Sequence, residues 1–528
     1  MPKKKTAHET NTRKRQHRPS DSSKGDGVRR AEPEWLARLP IAIHQEVEVT
    51  IVGLNHDGEG VGYVDGYTLF VVGALPTERV RVKVNYVKKQ YGYATLLAII
   101  ESSPERVQPP CLIYEACGGC QLQHLSVEEQ LRVKRQHVVD SLQRIGKLNV
   151  VEQEPDRDEP SSEKVAFERK LTEQEQITAD QKIHPGIVVH PTLGMKEPWR
   201  YRNKAQVPLG EHEGQLIGGF YARGSHDIID MNECLIQHET NDHVVNTVKR
   251  IANRLGISAY REETQEGILR HVVVKVGFSS REVMVVLVTN SRAIPHVELV
   301  VAAICEAVPG VASICHNINS KVTNVILGEE TLVLWGRREI YDTIGGVNFA
   351  ISARSFFQVN PIQTEVLYGK VLAYAQLSGQ ETVIDAYCGI GTISLFLARR
   401  AGIVYGVEIV EEAIVDAKRN AELNGMSNVV FEAGPAERVL PEWQRQGIVP
   451  DVIVVDPPRK GCDPVLLKTM LQLQPKRIVY VSCNPATLAR DLRILEDGGY
   501  RTVEVQPVDM FPHTVHVECV AKLERVRK

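Results

Sequence analysis

The chain has 528 residues, too many for one ordinary domain and enough for three or four at roughly 150 residues each. Hydrophobic residues at 43% and charged residues at 24% are soluble-globular values, which exclude global disorder, a collagen-like repeat and a membrane bundle. The net charge of −3 points to no polyanionic partner by itself, but it averages over very unequal segments.

Residues 1–30 hold ten Lys/Arg against Glu9, Asp21 and Asp26, a charge of +7, so the rest of the chain carries −10. With almost no apolar residues, a disordered basic arm is expected over 1–40, either gripping phosphates or serving as a solvated tail. No apolar stretch approaches the ~18–20 residues of a bilayer span, and the polar N-terminus shows no secretory core, so a cytoplasmic protein is expected. Ten cysteines then suggest metal or catalysis more than a disulfide scaffold.

Over 41–101, short β-rich runs alternate with Gly turns. Val80, Val82 and Val84 face one way and Arg81 and Lys83 the other, and Asp57-Gly58 and Asp65-Gly66 mark turns. This predicts a small OB-like barrel. Lys83, Tyr86, Lys88, Lys89, Tyr91 and Tyr93 interleave cations and aromatics, as a base-stacking surface does. The piece HDGEGVGYVDG resembles a TRAM domain, an RNA-binding barrel attached to RNA-modifying enzymes.

Next comes Cys111, Cys117 and Cys120 in a C-x5-C-x2-C run, with Cys234 as the candidate fourth thiolate. Zinc and a [4Fe–4S] cluster both suit four thiolates, and spacing does not choose between them. A capping box of Ser126 and Glu129 opens a helix with Leu131, Val138, Leu142 and Ile145 as its apolar stripe. Residues 151–185 form an acidic insertion. Around it, a central α/β domain is expected over 104–345, with Trp199, Arg200, Tyr201, Arg202, Asn203 and Lys204 as an RNA contact strip or an exposed strand edge.

From 346 to 528 strand and helix alternate, predicting a doubly wound α/β domain. Gly389-Ile390-Gly391 is a weak nucleotide signal, but Asp385 and Glu408 end the first two strands, an arrangement suited to adenosyl ribose. Asp456 in DPPRKG and Cys483 in SCNPAT end two more, so all four should share the rim at the carboxyl ends of the strands. Asn484 caps and Pro485 opens the helix after Cys483, whose positive end is expected to lower the thiol pKa. Cys305, Cys315, Cys388, Cys462 and Cys519 are expected to be packing residues.

FFQVN at 356–360, DAYCGIG, DPPRKG, SCNP and HTVHVE together resemble the RNA uracil-5-methyltransferase family. The TRAM-like front and cysteine run make the chain similar to the 23S ribosomal RNA members that carry a [4Fe–4S] cluster. The resemblance implies a multidomain protein: a TRAM barrel, a central cluster-binding domain and a C-terminal Rossmann-like S-adenosylmethionine-dependent methyltransferase domain. By position, Gln358, Tyr387, Glu408 and Asp456 match the S-adenosylmethionine-binding residues, Cys483 the nucleophile, Glu518 the base, and Cys111, Cys117, Cys120 and Cys234 the cluster ligands. It further implies a monomer acting on 23S RNA before or during subunit assembly, without a membrane partner. Tyr387 stands where the family often has Phe.

The chemistry requires such residues. Carbon 5 of uracil is a weak nucleophile, and a thiolate adding to carbon 6 makes it an enolate carbon. A carboxylate then removes the carbon 5 proton. His513 and His516 are competing bases, and strand alternation would turn His516 the same way as Glu518. Competing functions are a transfer RNA uracil-5-methyltransferase, a non-catalytic RNA-binding protein and a small-molecule methyltransferase.

Overall fold

The computed structural model describes residues 35–151 and 186–526. The basic arm up to residue 34 and the acidic insertion from residue 152 lie outside the described residues. Among the described residues no helix is long and apolar enough to cross a membrane.

Five strands, Glu46–Leu54, Gly60–Val64, Tyr67–Val72, Arg79–Val87 and Tyr91–Glu101, close into a barrel. The alternation drives it: Val80, Val82 and Val84 are fully buried while Arg81 and Lys83 are exposed. Asp65 and Gly66 take φ of +47° and +80°, the two left-handed residues of a tight hairpin turn. The expected aromatic strip is ordered by its own contacts, with Lys88 Nζ 5.1 Å from the Tyr91 ring centre and Phe70 packed against Tyr91 and Tyr93. Buried Glu78 receives both Nε and Nη2 of Arg106 at 2.6 and 2.8 Å, fastening the barrel to the chain that leaves it.

The helix Val127–Arg144 begins at Ser126, whose hydroxyl accepts from Glu129 N at 3.3 Å. Its buried stripe differs from the expected one. Gln130, Lys134, Val138 and Leu142 face inward at i, i+4 spacing, whereas Ile145 is 52% exposed. Val138 and Leu142 pack on Leu488, Ala489 and Leu492 of the helix Pro485–Asp497.

A seven-stranded sheet follows, in the order Ile228–Asp230, Gln215–Tyr221, Lys204–His212, Leu269–Val276, Val283–Thr289, Val311–Ile318, Glu330–Gly336. The helices Glu239–Leu255 and Val297–Ala307 pack on one of its faces. The C-terminal sheet has nine strands. From Val429–Ala433 it runs through Ile403–Glu408, Thr382–Ala386, Val452–Val455 and Arg477–Ser482, all parallel, to Glu518–Arg525, antiparallel to both its neighbours, and Tyr500–Val508. Two short strands from the flanks of the insertion, Ile187–Val189 and Val150–Val151, complete it. The last long strand starts at Glu518, so the expected alternation between His516 and Glu518 does not apply: residues 509–517 are an irregular bridge.

Candidate active site

The parallel strands of the C-terminal sheet are buried on both faces, so their carboxyl ends are the places where polar side chains can meet. One cavity of about 970 Å³ opens there. Gln358, Tyr387, Glu408, Asp456, Cys483 and Glu518 all line it, as do Cys111, Cys117, Cys120 and Cys234.

Asp385 does not join that rim. It is fully buried, its Oδ2 accepting from Ser394 Oγ at 2.5 Å, and burial raises its carboxyl to about 7. It ties the strand Thr382–Ala386 to the helix Thr392–Ala398. Beyond it the chain turns sharply, with Tyr387, Gly389 and Gly391 all at positive φ. A Cβ on Gly391 would lie 2.9 Å from the Phe431 ring, so the sequence needs glycine there. Glu408 braces the turn: its Oε2 accepts from Gly389 N at 3.3 Å and its Oε1 from Val410 N at 3.0 Å.

Asp456 follows the buried strand Val452–Val455, and Pro457-Pro458 stop the strand there. Burial raises its carboxyl to about 6. The next turn is laced to the SCNP turn, because Arg459 O accepts from Asn484 Nδ2 at 3.2 Å and from Thr487 Oγ1 at 3.4 Å. Asn484 caps the helix Pro485–Asp497 through Ala486 N at 3.0 Å. Gln358 is buried, and its carbonyl accepts from Asn203 Nδ2 at 2.9 Å, while Phe356 beside it is 64% exposed.

Strand register brings the two reactive candidates together. Ser482 pairs with Cys519, which sets Cys483 beside Glu518. The expected lowering of the Cys483 thiol is absent. Burial, then the charges of Glu518 and Asp456, push it to about 11, against a smaller opposing effect of Arg459. The helix end is already satisfied by the Asn484 cap. Glu518 is 7% exposed, and burial together with Asp456 raises its carboxyl to about 8. Arg459 also lines the cavity and acts on Cys483, Glu518 and His516, a role the sequence reading did not assign although DPPRKG contains it. Of the competing bases, His516 lines the cavity, whereas His513 is 2% exposed and stacks on Trp199.

The four cysteines share a wall of the cavity, but among the described residues no three His, Cys, Asp or Glu side chains stand close enough to hold a metal ion. All ten cysteines are free. Gly119 N donates to Cys117 Sγ at 3.3 Å, and Arg223 holds the loop through the carbonyls of Cys117 and Cys120 at 3.4 and 3.0 Å. Of the other five, Cys315, Cys388, Cys462 and Cys519 are buried in the core clusters, and Cys305 packs at the edge of one; Cys388 also lines the cavity. The expected RNA strip is mostly structural. Tyr201 is buried and donates to Pro512 O, Asn203 is buried, and Arg200 pairs with Asp242 and Glu233, leaving Arg202 to face the cavity.

Comparison with known proteins agrees with this geometry. Residues 329–526 match the family model described as tRNA (Uracil-5-)-methyltransferase, and residues 43–97 match the TRAM domain. An uncharacterized RNA methyltransferase of Halalkalibacterium halodurans is 57% identical, covering 92% of this chain and 98% of its own length. A Bacillus cereus relative of the same description is 52% identical over 93% and 98%. The crystal structure of Pyrococcus abyssi tRNA (uracil-54, C5)-methyltransferase with S-adenosyl-L-homocysteine superimposes with a TM-score of 0.67 at 29% identity, covering 90% of this chain and all of that one. The chain therefore belongs to the RNA uracil-5-methyltransferase family, and is an S-adenosylmethionine-dependent RNA methyltransferase with an N-terminal TRAM domain.

Proposed function

We propose that the chain methylates carbon 5 of a uridine in 23S ribosomal RNA through a covalent cysteine–uracil adduct. The observation that carries this reading is the meeting of Cys483, Glu518 and Arg459 in the cavity that also holds Gln358, Tyr387, Glu408 and Asp456. S-adenosylmethionine, when bound, supplies an electrophilic methyl group, and Glu408 is placed to hold ribose hydroxyls. The Cys483 thiol gives its proton to solvent and its sulfur bonds to carbon 6, while the carbon 5–carbon 6 pair moves toward the carbon 4 oxygen. Arg459 is the cation available to that developing charge. Carbon 5 takes the methyl as the methyl–sulfur bond breaks and the sulfonium leaves as a neutral thioether, and the ionised Glu518 carboxylate then removes the carbon 5 proton. The returning pair restores the double bond and expels the Cys483 thiolate. A uridine reaches this cavity only by leaving its stack.

Cys111, Cys117, Cys120 and Cys234 are proposed to hold a [4Fe–4S] cluster with a structural role. Their shared wall and the bond to Cys117 Sγ support this, although closing them on one centre requires side-chain movement. A second reading, transfer RNA as substrate, is favoured by the Pyrococcus abyssi structure, whose substrate is named as tRNA uracil-54. Mapping 5-methyluridine in both RNAs with and without the protein decides between them. Failure to form an adduct at Cys483 on 5-fluorouridine RNA sinks the covalent mechanism.

A further inference from the structure

Residues 509–517 join two neighbouring strands, yet other parts of the molecule hold most of this bridge. His513 sits at φ +67°, a conformation a non-glycine residue keeps only when its surroundings enforce it. Its carbonyl accepts from both Gln121 N and Leu122 N, at 3.0 and 2.9 Å, and these two residues directly follow Cys120. Its own N–H donates to Gln130 Oε1 at 3.0 Å, and its ring lies 3.7 Å from that of Trp199.

Gln130 is 1% exposed and serves both sides of this junction. While Oε1 takes the His513 N–H, Nε2 donates to Leu122 O at 3.0 Å and Leu125 O at 2.8 Å. One turn along the helix, Lys134 Nζ reaches Asp509 Oδ1 at 2.6 Å and Phe511 O at 3.1 Å. The barrel touches the same bridge, since a Cβ on Gly58 would lie 2.7 Å from Val515 Cγ1 and 3.3 Å from Gln121 Cβ. Phe511, Thr514 and His516 of the bridge line the cavity, and Glu518 opens the strand that follows it.

We propose that Gln130 and His513 are positioning residues that lock the bridge to the cysteine loop, so that the place of that loop sets the reach of Glu518. The inference rests on the covalent mechanism proposed above. It is specific to one step. Cys483 lies between the strand Arg477–Ser482 and the helix Pro485–Asp497, and Tyr387, Glu408 and Asp456 lie on other strand ends. Loosening the bridge at His513 leaves Cys483 and these three strand ends in place, while Asn360 Nδ2 and Gln363 Nε2 still hold Met510 O and Asp509 O beside Gln358, and it misplaces the group that takes the carbon 5 proton. Methyl transfer precedes that proton's removal, so a misplaced base strands the RNA as a methylated covalent adduct.

The test uses the full-length protein and two unmodified transcripts, 23S RNA and an elongator tRNA, with radiolabelled S-adenosylmethionine. Glu518→Gln is the reference and should hold RNA as a denaturation-resistant adduct. Gln130→Leu should transfer one methyl within about threefold of the wild-type single-turnover rate. It should also accumulate adduct and turn over about 10²-fold more slowly, the cost of a small misplacement. Gln130→Glu keeps the acceptor for His513 N–H and should recover part of the loss. Trp199→Leu, at a half-exposed position, repeats the measurement should Gln130→Leu not fold. Parallel loss of methyl transfer and turnover without adduct, or wild-type turnover in Gln130→Leu (or in Trp199→Leu where it stands in), overturns the proposal. Absence of adduct in Glu518→Gln would instead condemn the covalent mechanism, and the lock would fall with it.

Discussion

Replacing Glu518 by Gln should make the protein inactive in turnover and, at alkaline pH, more stable. The carboxyl is held at about 8 in the fold, against 4.5 for an ordinary glutamate, chiefly by burial. Between those values the folded chain keeps a proton that the unfolded chain has released, so raising the pH favours unfolding. Each unit of that interval is worth ~1.4 kcal/mol, which gives roughly 5 kcal/mol as the full cost above pH 8. Glutamine fills the same space without an ionisation. The other raised carboxyls, Asp385 and Asp456, are common to both proteins and largely cancel in the difference. Thermal melts of wild type and Glu518→Gln at pH 5, 7 and 9 measure it. The two should nearly coincide at pH 5, and the variant should lead by several degrees at pH 9. A gap that stays constant across the range, or a wild type that is the more stable at pH 9, refutes the buried-base reasoning.

Burial should make the Cys483 thiol slow to alkylate at pH 7, with labelling that quickens as pH climbs toward about 11; rapid labelling at neutral pH, read by peptide mass spectrometry, contradicts this. Lys134→Met leaves Asp509, 2% exposed, without its cation and should cost about 3–5 kcal/mol in denaturant melts. A loss below ~1 kcal/mol shows that Asp509 escapes its burial. Gly58→Ala meets both a φ of +78° and the Val515 methyl, so it should destabilise by about 1 kcal/mol or more, whereas Gly66→Ala meets only the positive φ and should cost less. Cys234→Ser in anaerobically purified protein should lower bound iron and the visible absorbance of a cluster, and unchanged iron content removes Cys234 from the ligand set.

Much of the fold was legible because its periods are long. Seven barrel residues, Arg79–Asn85, alternating about Val82 and the four-residue apolar run before Asp456 leave little choice of structure. The strands Val150–Val151 and Ile187–Val189 are too short to show any period, so their place in the C-terminal sheet was hidden. HTVHVE misled in the opposite way. It alternates like a strand, but its first residue, His513, is held by Gln121, Leu122 and Gln130, more than 300 positions away, and Tyr201 holds Pro512 just before it. The site was readable wherever a residue ends a strand. It was unreadable where burial reverses a local effect, as at Cys483, or where cations are spent inside the protein, as at Arg200.

The paired flanks of the acidic segment set a limit on how far it can be trimmed. Val150 pairs with Ile187 in parallel, so the chain that leaves one strand must return to the opposite end of its neighbour. A two-residue turn cannot make that journey, and parallel partners need a crossover of about a dozen residues. Natural or engineered versions can therefore shorten residues 152–185 considerably, since loop closure depends only weakly on length. Below that threshold the two edge strands would have to part, and the sheet would end at Ile187–Val189, which keeps its own pairing with Tyr500–Val508.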